Sequence, residues 1–184
     1  VMAVSDGMGK GVEASQESQT IIELVEQFLE AGFTAETAVK MIHSSMVLQR
    51  GVCRYSTLDL LEINLYQGKG RLMKVGAAAT FIRKEENVEV IRSTSLPMGV
   101  FREADVETKE VRLENGDMVF LVSDGVLDAL PPGEGEHMMK YFINSLTNDN
   151  PAESAQLLLD QVLEFCQDGI LDDMTILAGG FWRK

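Results

Sequence analysis

The hydrophobic period of this chain changes twice along its 184 residues. Up to about residue 50, apolar residues recur at helical spacing, as in Ile21, Leu24, Val25, Phe28 and Leu29. From Ser56 to Ser123 apolar and polar residues alternate as in strands, and helical spacing returns after Glu136. Because helices precede and follow one block of strands, the pattern predicts an α+β fold in which helices cover antiparallel sheets.

Turn and cap residues divide this pattern into predicted elements. Strands are predicted over 1–5, 72–82, 88–92, 106–111, 118–123 and 175–181, and helices after Gly11, after Thr34, over 136–146 and from Pro151. Thr34 or the neighbouring Thr37 is the N-cap of the second helix. The inner face of that helix is predicted to contain Ala38, Met41, Ile42, Ser45 and Met46.

The strand that starts at Ser56 changes phase at Leu60–Leu61. Leu58 and Leu60 alternate with polar residues, and Leu61, Ile63 and Leu65 then do so in the opposite phase. Either a β-bulge or a strand buried on both faces produces such a slip. A turn at 67–70 then leads into the returning strand over 72–82.

Composition narrows the class of function. Apolar residues make up 45% of the chain and the net charge is −13, so a core can be buried, while nucleic acid is excluded as a partner for want of clustered cations. No run of about 18 apolar residues occurs, which predicts no membrane contact by this segment. Cys53 and Cys166 lie far apart and read as reduced thiols, so we expect a cytoplasmic location.

Three acidic turns adjoin predicted strands. They are Val4-Ser5-Asp6-Gly7, Val122-Ser123-Asp124-Gly125 and Leu171-Asp172-Asp173-Met174-Thr175. Strand ends hold carboxylates rigidly, and Mg²⁺ and Mn²⁺ prefer such oxygen ligands. Asp-Gly is also ordinary turn chemistry, so a single copy would carry little weight.

Six ordered motifs resemble the metal-dependent protein phosphatases (the PPM family), most closely the branch that acts in sporulation. Three are the acidic turns, the first of which extends as Ser5-Asp6-Gly7-Met8-Gly9-Lys10-Gly11. The others are the scaffold motifs Tyr55–Leu60, Lys74–Ile82 and Leu96–Gly99. The resemblance covers nearly the whole chain. It implies a four-layer αββα sandwich, with two packed antiparallel sheets and a helix pair on each outer face.

The resemblance also implies a site with two Mn²⁺ or Mg²⁺ ions. Asp6 would bridge both ions, the Gly7 carbonyl would help to hold one of them, and Asp124 and Asp172 would hold the second ion. Asp173 is the alternative to Asp172, because sequence does not separate adjacent aspartates. Such a pair of ions activates a water that attacks phosphorus, so these three aspartates would be catalytic through that water.

The substrate implied by the resemblance is a phosphoserine on an anti-anti-sigma-type regulator, in the control of a sigma factor during sporulation. Two alternatives stay open: a phosphatase of another regulatory branch, such as stress response, and a non-catalytic interaction module of the same fold. A homodimer is also compatible with the family.

One motif of the family lies outside the chain. Relatives carry a Gly-Asp pair on a strand upstream of the first Asp-Gly, and this sequence begins after that point. We therefore expect residues 1–184 to form a single phosphatase domain that lacks its N-terminal strand or strands. The parent protein could be anchored in a membrane by upstream segments.

Other candidate chemistry is less well supported. Gly7, Gly9 and Gly11 fit neither nucleotide-binding pattern, and Cys53 is not followed by a phosphate-cradling loop. His43 and His137 join no ligand motif, so zinc has little support. Asp59 is expected to matter mainly for folding. The methionines at 41, 46, 138 and 139 are expected in the core.

Overall fold

The computed structural model describes residues 1–9, 11–48, 55–101, 106–166, 169 and 172–182. Eight strands and five helices occur in this part of the chain. Their order is β1 (Met2–Gly7), α1 (Val12–Glu30), α2 (Ala35–Leu48), β2 (Ser56–Asn64), β3 (Lys69–Val75), β4 (Thr80–Arg83), β5 (Val88–Ile91), β6 (Glu107–Arg112), β7 (Met118–Val122), α3 (Asp124–Asp128), α4 (Gly135–Ser145), α5 (Pro151–Leu163) and β8 (Ile176–Gly180).

The strands form two antiparallel sheets of four. The first sheet has the order β1-β2-β3-β6 and the second β5-β4-β7-β8. The core between them is mostly apolar and includes Val4, Leu61, Leu72, Ile82, Val119 and Leu121. Helices α1 and α2 cover the outer face of the first sheet, and α3, α4 and α5 cover that of the second. The predicted α+β αββα sandwich is therefore confirmed.

Local sequence accounts for the helix boundaries. Gly32 follows Ala31, the C-cap of α1, and has a φ of 87°, a conformation that glycine adopts without strain. The Thr34 hydroxyl accepts a hydrogen bond from Thr37 N at 3.2 Å, so Thr34 is the cap of α2. Asn150 caps α5 directly before Pro151.

The predicted inner face of α2 is partly wrong. Its buried residues are Ala35, Ala38, Val39, Ile42 and His43. Met41 is 42% exposed, and Ser45 is exposed as well. The buried stripe therefore includes Val39 and His43 instead of Met41 and Ser45. The prediction that Met41 lies in the core is thus wrong, whereas Met139 is fully buried as predicted.

The phase change in β2 reflects burial on both faces. Its pairing with β3 runs one to one from Leu58 to Asn64, without a bulge. Leu60 packs beneath α1 and α2, and Leu61 packs between the sheets. A central strand of a four-layer sandwich has no solvent face, so its sequence shows no single polar phase.

The single strand predicted over 72–82 is wrong, because the chain changes sheets within it. β3 ends at Val75 in the first sheet, and β4 begins at Thr80 in the second. The break falls at Gly76, where φ is 63° and a Cβ would lie 2.6 Å from Pro97 N. Ala77–Ala79 continue the apolar pattern across the break, which concealed it in the sequence.

None of the helices in the described residues is long and apolar enough to cross a membrane.

Candidate active site

All three acidic turns lie at one end of the sandwich. Asp6 stands near the end of β1, opposite Thr57 of β2. Asp124 is the first residue of α3, which follows β7 after Ser123. The sequence pattern did not predict this short helix. Asp172 and Asp173 precede β8, whose first residue pairs with Val122 at the end of β7. The antiparallel order of β7 and β8 therefore brings the second and third turns side by side.

Hydroxyl groups hold the backbone around Asp6. Asp6 N donates a hydrogen bond to Thr57 Oγ1 at 3.2 Å. Ser56 Oγ donates to Asp6 O at 2.6 Å, and Ser5 Oγ donates to Thr57 O at 2.8 Å. These bonds extend the pairing of β1 with β2 up to the carboxylate.

Gly125 lets the second and third turns touch. A Cβ on Gly125 would overlap Asp173 O and would lie 3.4 Å from Asp172 Cβ. Ser123 N donates to Thr175 O at 3.0 Å, which joins the same two segments by a backbone bond. The Asp172 carboxylate accepts from Asp173 N at 2.9 Å, so its orientation is fixed by the following residue. The glycine of this Asp-Gly is therefore required by close packing.

The pKa of Asp6 is raised by the neighbouring carboxylates. Burial, a hydrogen bond with Asp124 and the charges of Asp124, Asp172 and Asp173 raise the pKa of Asp6 from 3.8 to about 7. Two carboxyl groups in hydrogen-bonding contact share a proton unless a cation lies between them. Aspartates of the second and third acidic turns thus act on Asp6 of the first, although the three turns are distant in sequence.

A cleft of about 330 Å³ opens over this group. Its lining comes from the first acidic turn, the start of α1 and the third acidic turn: Ser5, Asp6, Gly7, Gly9, Ala14, Ser15, Ser18, Asp172, Asp173, Met174 and Thr175. Gly7 packs against Ala14 of α1, where a Cβ would overlap the Ala14 carbonyl oxygen. The helix therefore forms one wall of the cleft.

The donor chemistry of this cleft fits a hard divalent cation. Within the described ranges, no three acidic, histidine or cysteine side chains converge tightly enough to form a ready metal site. A hard cation such as Mg²⁺ keeps several waters and needs only one or two carboxylates from the protein. Asp6, which lines the cleft, and its hydrogen-bond partner Asp124, which lies outside that lining, supply two, and a cation between them would replace the proton that Asp6 holds.

The remaining candidates lie elsewhere. Asp59 is 1% exposed in the core. His43 Nε2 is bonded to Phe101 O at 2.9 Å, while His137 is on the surface. Cys166 is a free, half-buried thiol, and Cys53 lies outside the described residues. Asp59, His43, His137 and Cys166 do not line the cleft.

Sequence reasoning missed the hydroxyl groups that support the aspartates. Ser56 and Ser123 are buried, and each bonds to the backbone of an acidic turn. For Ser123 the available signal was its place directly before Asp-Gly in the second copy of Val-Ser-Asp-Gly, whereas no such signal marked Ser56. Ser123 was read as part of a motif without a physical role.

A solved structure shares this architecture closely. The PP2C phosphatase domain of the Bacillus subtilis cell fate determinant SpoIIE, solved with a fragment of its regulatory domain, superposes with a TM-score of 0.86 and is 35% identical, over 96% of this chain and 52% of that one. Fold and site together define a PP2C-type phosphatase domain. The family described as Stage II sporulation protein E (SpoIIE) matches residues 1–181, and the chain belongs to that family.

Two relatives bear the family name. Stage II sporulation protein E of Bacillus subtilis (strain 168) is 36% identical over 177 residues, and that of Priestia megaterium is 33% identical over 178. Each match covers 96% of this chain, but the chain spans only 21% and 30% of the lengths of these relatives.

Two further matches bear on chemistry. Phosphoserine phosphatase RsbU of Bacillus subtilis (strain 168) is 21% identical over 183 residues, covering 96% of this chain and 54% of RsbU. A Mn-presoaked structure of the Bacillus subtilis SpoIIE phosphatase domain has a TM-score of 0.66 and 25% identity, covering 100% of this chain and 90% of that one.

Proposed function

We propose that this chain is a Mn²⁺- or Mg²⁺-dependent phosphatase that removes phosphate from phosphoserine in a protein. The observation that carries the proposal is that Asp124, Asp172 and Asp173, from two other segments, all act on Asp6 at the end of a PP2C-type sandwich. Asp6, Asp172 and Asp173 line one cleft there. Membership of the SpoIIE family and the name of the relative RsbU support the reaction class.

The residues that would hold two ions are those implied by the motifs. Asp6 would contact both ions, the Gly7 carbonyl would contact one of them, and Asp124 and Asp172 would hold the second. The raised pKa of Asp6 supports this, because a carboxyl pressed against other carboxylates gains most from a nearby cation. The Mn-presoaked relative supports the choice of metal.

Bound ions would supply a deprotonated water near neutral pH and would offset the charge that develops on the phosphoryl oxygens. The chain itself supplies position. β1 and α3 present Asp6 and Asp124 toward each other, and the bond from Asp173 N orients Asp172. Asp6 must give up its proton before it can act as a ligand. No nucleophile from the protein is needed in this scheme.

We propose an anti-anti-sigma-type phosphoprotein as the substrate, which would place the enzyme in sigma-factor control during sporulation. The SpoIIE relatives support this assignment. The similarity to RsbU keeps a second regulatory branch as the alternative. The cytoplasmic location, the membrane-anchored parent and the homodimer stay predictions.

Hydrolysis of a chromogenic phosphate ester tests the reaction. We expect turnover with Mn²⁺ or Mg²⁺, loss of turnover in EDTA, and loss in an Asp124→Asn variant. Asp128→Asn is the matched control, since Asp128 is an exposed acid at the other end of α3. Substrate class is tested next with phosphoserine and phosphothreonine versions of one anti-anti-sigma protein.

Two results would contradict the proposal. Turnover that persists in EDTA would exclude a divalent-metal mechanism. A folded chain that binds the anti-anti-sigma protein but hydrolyses neither substrate with any divalent ion would favour the non-catalytic module instead.

A further inference from the structure

The serine hydroxyls beneath the acidic turns form a supporting layer that the proposed chemistry does not use. We propose that Ser56 and Ser123 are positioning residues, whose hydroxyls fix the backbone that carries the metal-binding carboxylates. This inference rests on the proposed function, because it concerns the same ions.

Ser56 anchors the first acidic turn. Ser56 is 0% exposed, and its hydroxyl donates to Asp6 O at 2.6 Å. Ser56 is itself held by Met98, whose N donates to Ser56 O at 2.8 Å. Met98 is also fully buried. The Asp6 main chain is therefore tied to a rigid part of the core.

Ser123 anchors the third acidic turn in the same way. It is 5% exposed, its hydroxyl donates to Asp173 O at 3.1 Å, and Ser123 Oγ accepts from Thr175 N at 3.0 Å. One hydroxyl thus spans the segment between Asp173 and Thr175. It ties this segment to the end of β7, directly before Asp124.

Neither serine lines the cleft, so a direct contact with substrate is not available to them. Their effect must pass through the backbone to the carboxylates. Ionised carboxylates that face one another repel. Bonds one layer behind the ligands counter that repulsion and preserve ligand geometry.

Three variants test the proposal: Ser56→Ala, Ser123→Ala and Ser154→Ala. Ser154 is the matched control, because it is also 0% exposed and its hydroxyl donates at 2.6 Å, but to Asn148 Oδ1 beside α5. All three changes delete one buried hydroxyl. Only the first two delete a bond to an acidic turn.

Hydrogen–deuterium exchange in EDTA gives a readout that needs no metal. We expect faster exchange in residues 1–9 for Ser56→Ala, in residues 172–180 for Ser123→Ala, and in neither segment for Ser154→Ala. Titration with Mn²⁺ by calorimetry gives the second readout. We expect each of the first two changes to weaken Mn²⁺ binding by about 10-fold or more, and Ser154→Ala to leave it unchanged.

Mn²⁺ affinities of Ser56→Ala and Ser123→Ala equal to that of Ser154→Ala would overturn the proposal, and so would exchange that rises uniformly along the chain. If the unsubstituted protein binds no Mn²⁺, the proposed function fails and this inference fails with it. Local exchange changes would then identify the serines as structural supports only.

Discussion

Lys74 Nζ lies 2.5 Å from Asp59 Oδ2 in the core between the sheets, and each side chain is 1% exposed. Thr80 Oγ1 accepts from Lys74 at 2.8 Å, so the pair joins β2 and β3 of the first sheet to β4 of the second. Burial raises the pKa of Asp59 and lowers that of Lys74, while the attraction between them opposes both shifts. Each charge is tolerated only because the other is present.

Lys74→Met should therefore destabilise the protein strongly. It leaves Asp59 buried without a counter-charge, which costs about 3–5 kcal/mol. The double variant Asp59→Leu with Lys74→Met should recover most of that loss, because both buried charges are removed. Urea unfolding in EDTA measures both. A double variant no more stable than Lys74→Met would show that the pair contributes through shape and not through charge.

Asp6→Asn should abolish turnover while the fold is retained. Loss of a ligand to both ions should exceed the roughly 100-fold loss that changes behind the ligands reach. Asp59→Asn is the contrasting variant, since it should lower stability and leave Mn²⁺ affinity unchanged. Phosphate release, calorimetry and thermal unfolding separate the two effects. Near-normal phosphate release by Asp6→Asn would refute the assigned role.

The stability of the metal-free protein should fall between pH 4 and pH 7. The pKa of Asp6 is about 7 in the fold, against an ordinary value of 3.8. A raised carboxyl pKa means that the folded state binds the proton more tightly than the unfolded state does. The contribution of Asp6 to the free energy of unfolding is therefore complete below about pH 4 and is lost as pH rises through about 7. Urea unfolding in EDTA at pH 5 and pH 7.5 measures this fall in stability. The Asp6→Asn variant should not show it, because its side chain does not titrate.

The same shift predicts how Mn²⁺ binding depends on pH. A ligand carboxyl must be deprotonated, so the ion competes with the Asp6 proton. Apparent affinity should rise as pH increases to about 7 and should level off above it. Calorimetry in two buffers of different ionisation enthalpy should detect proton release at pH 6. A pH-independent affinity between pH 5 and pH 7 would contradict the shift.

Short-range patterns in the sequence were sufficient to predict most of the fold and the candidate site. Periodicity identified the helical layers and the strand block, and strand-end motifs identified Asp6 and Asp124. The predictions that were wrong depended on packing between residues distant in sequence. The exposure of Met41 depends on how α2 sits on the sheet, and the break at Gly76 depends on Pro97, twenty-one positions away. The bond from Ser56 to Asp6 spans fifty positions and leaves no local signature.

Gly125→Ala should disrupt the site although it adds one methyl group. The new Cβ would overlap Asp173 O, a backbone atom that cannot rotate away. We expect a stability loss of about 1–3 kcal/mol in EDTA, together with weaker Mn²⁺ binding. Gly179→Ala is the control, since its Cβ would meet only the flexible end of Met2, at 2.6 Å from Sδ. Equal Mn²⁺ affinities in the two variants would contradict the role of Gly125.

Asp172 should matter more than Asp173 as a ligand. The two exposed aspartates both line the cleft, but the charge of Asp172 raises the pKa of Asp6 more than that of Asp173 does. Asp172 Cβ also lies beside Gly125, next to Asp124, whereas Asp173 contributes its carbonyl oxygen to Ser123.

Asp172→Asn should therefore lower Mn²⁺ affinity and turnover more than Asp173→Asn. The amide keeps an oxygen that can accept the bond from Asp173 N, so the turn is retained while the charge is lost. Paired calorimetric titrations of the two variants, with turnover measured at saturating Mn²⁺, make the comparison. The reverse order would assign the ligand to Asp173, and the backbone bond to Asp172 would then serve only to shape the turn that presents it.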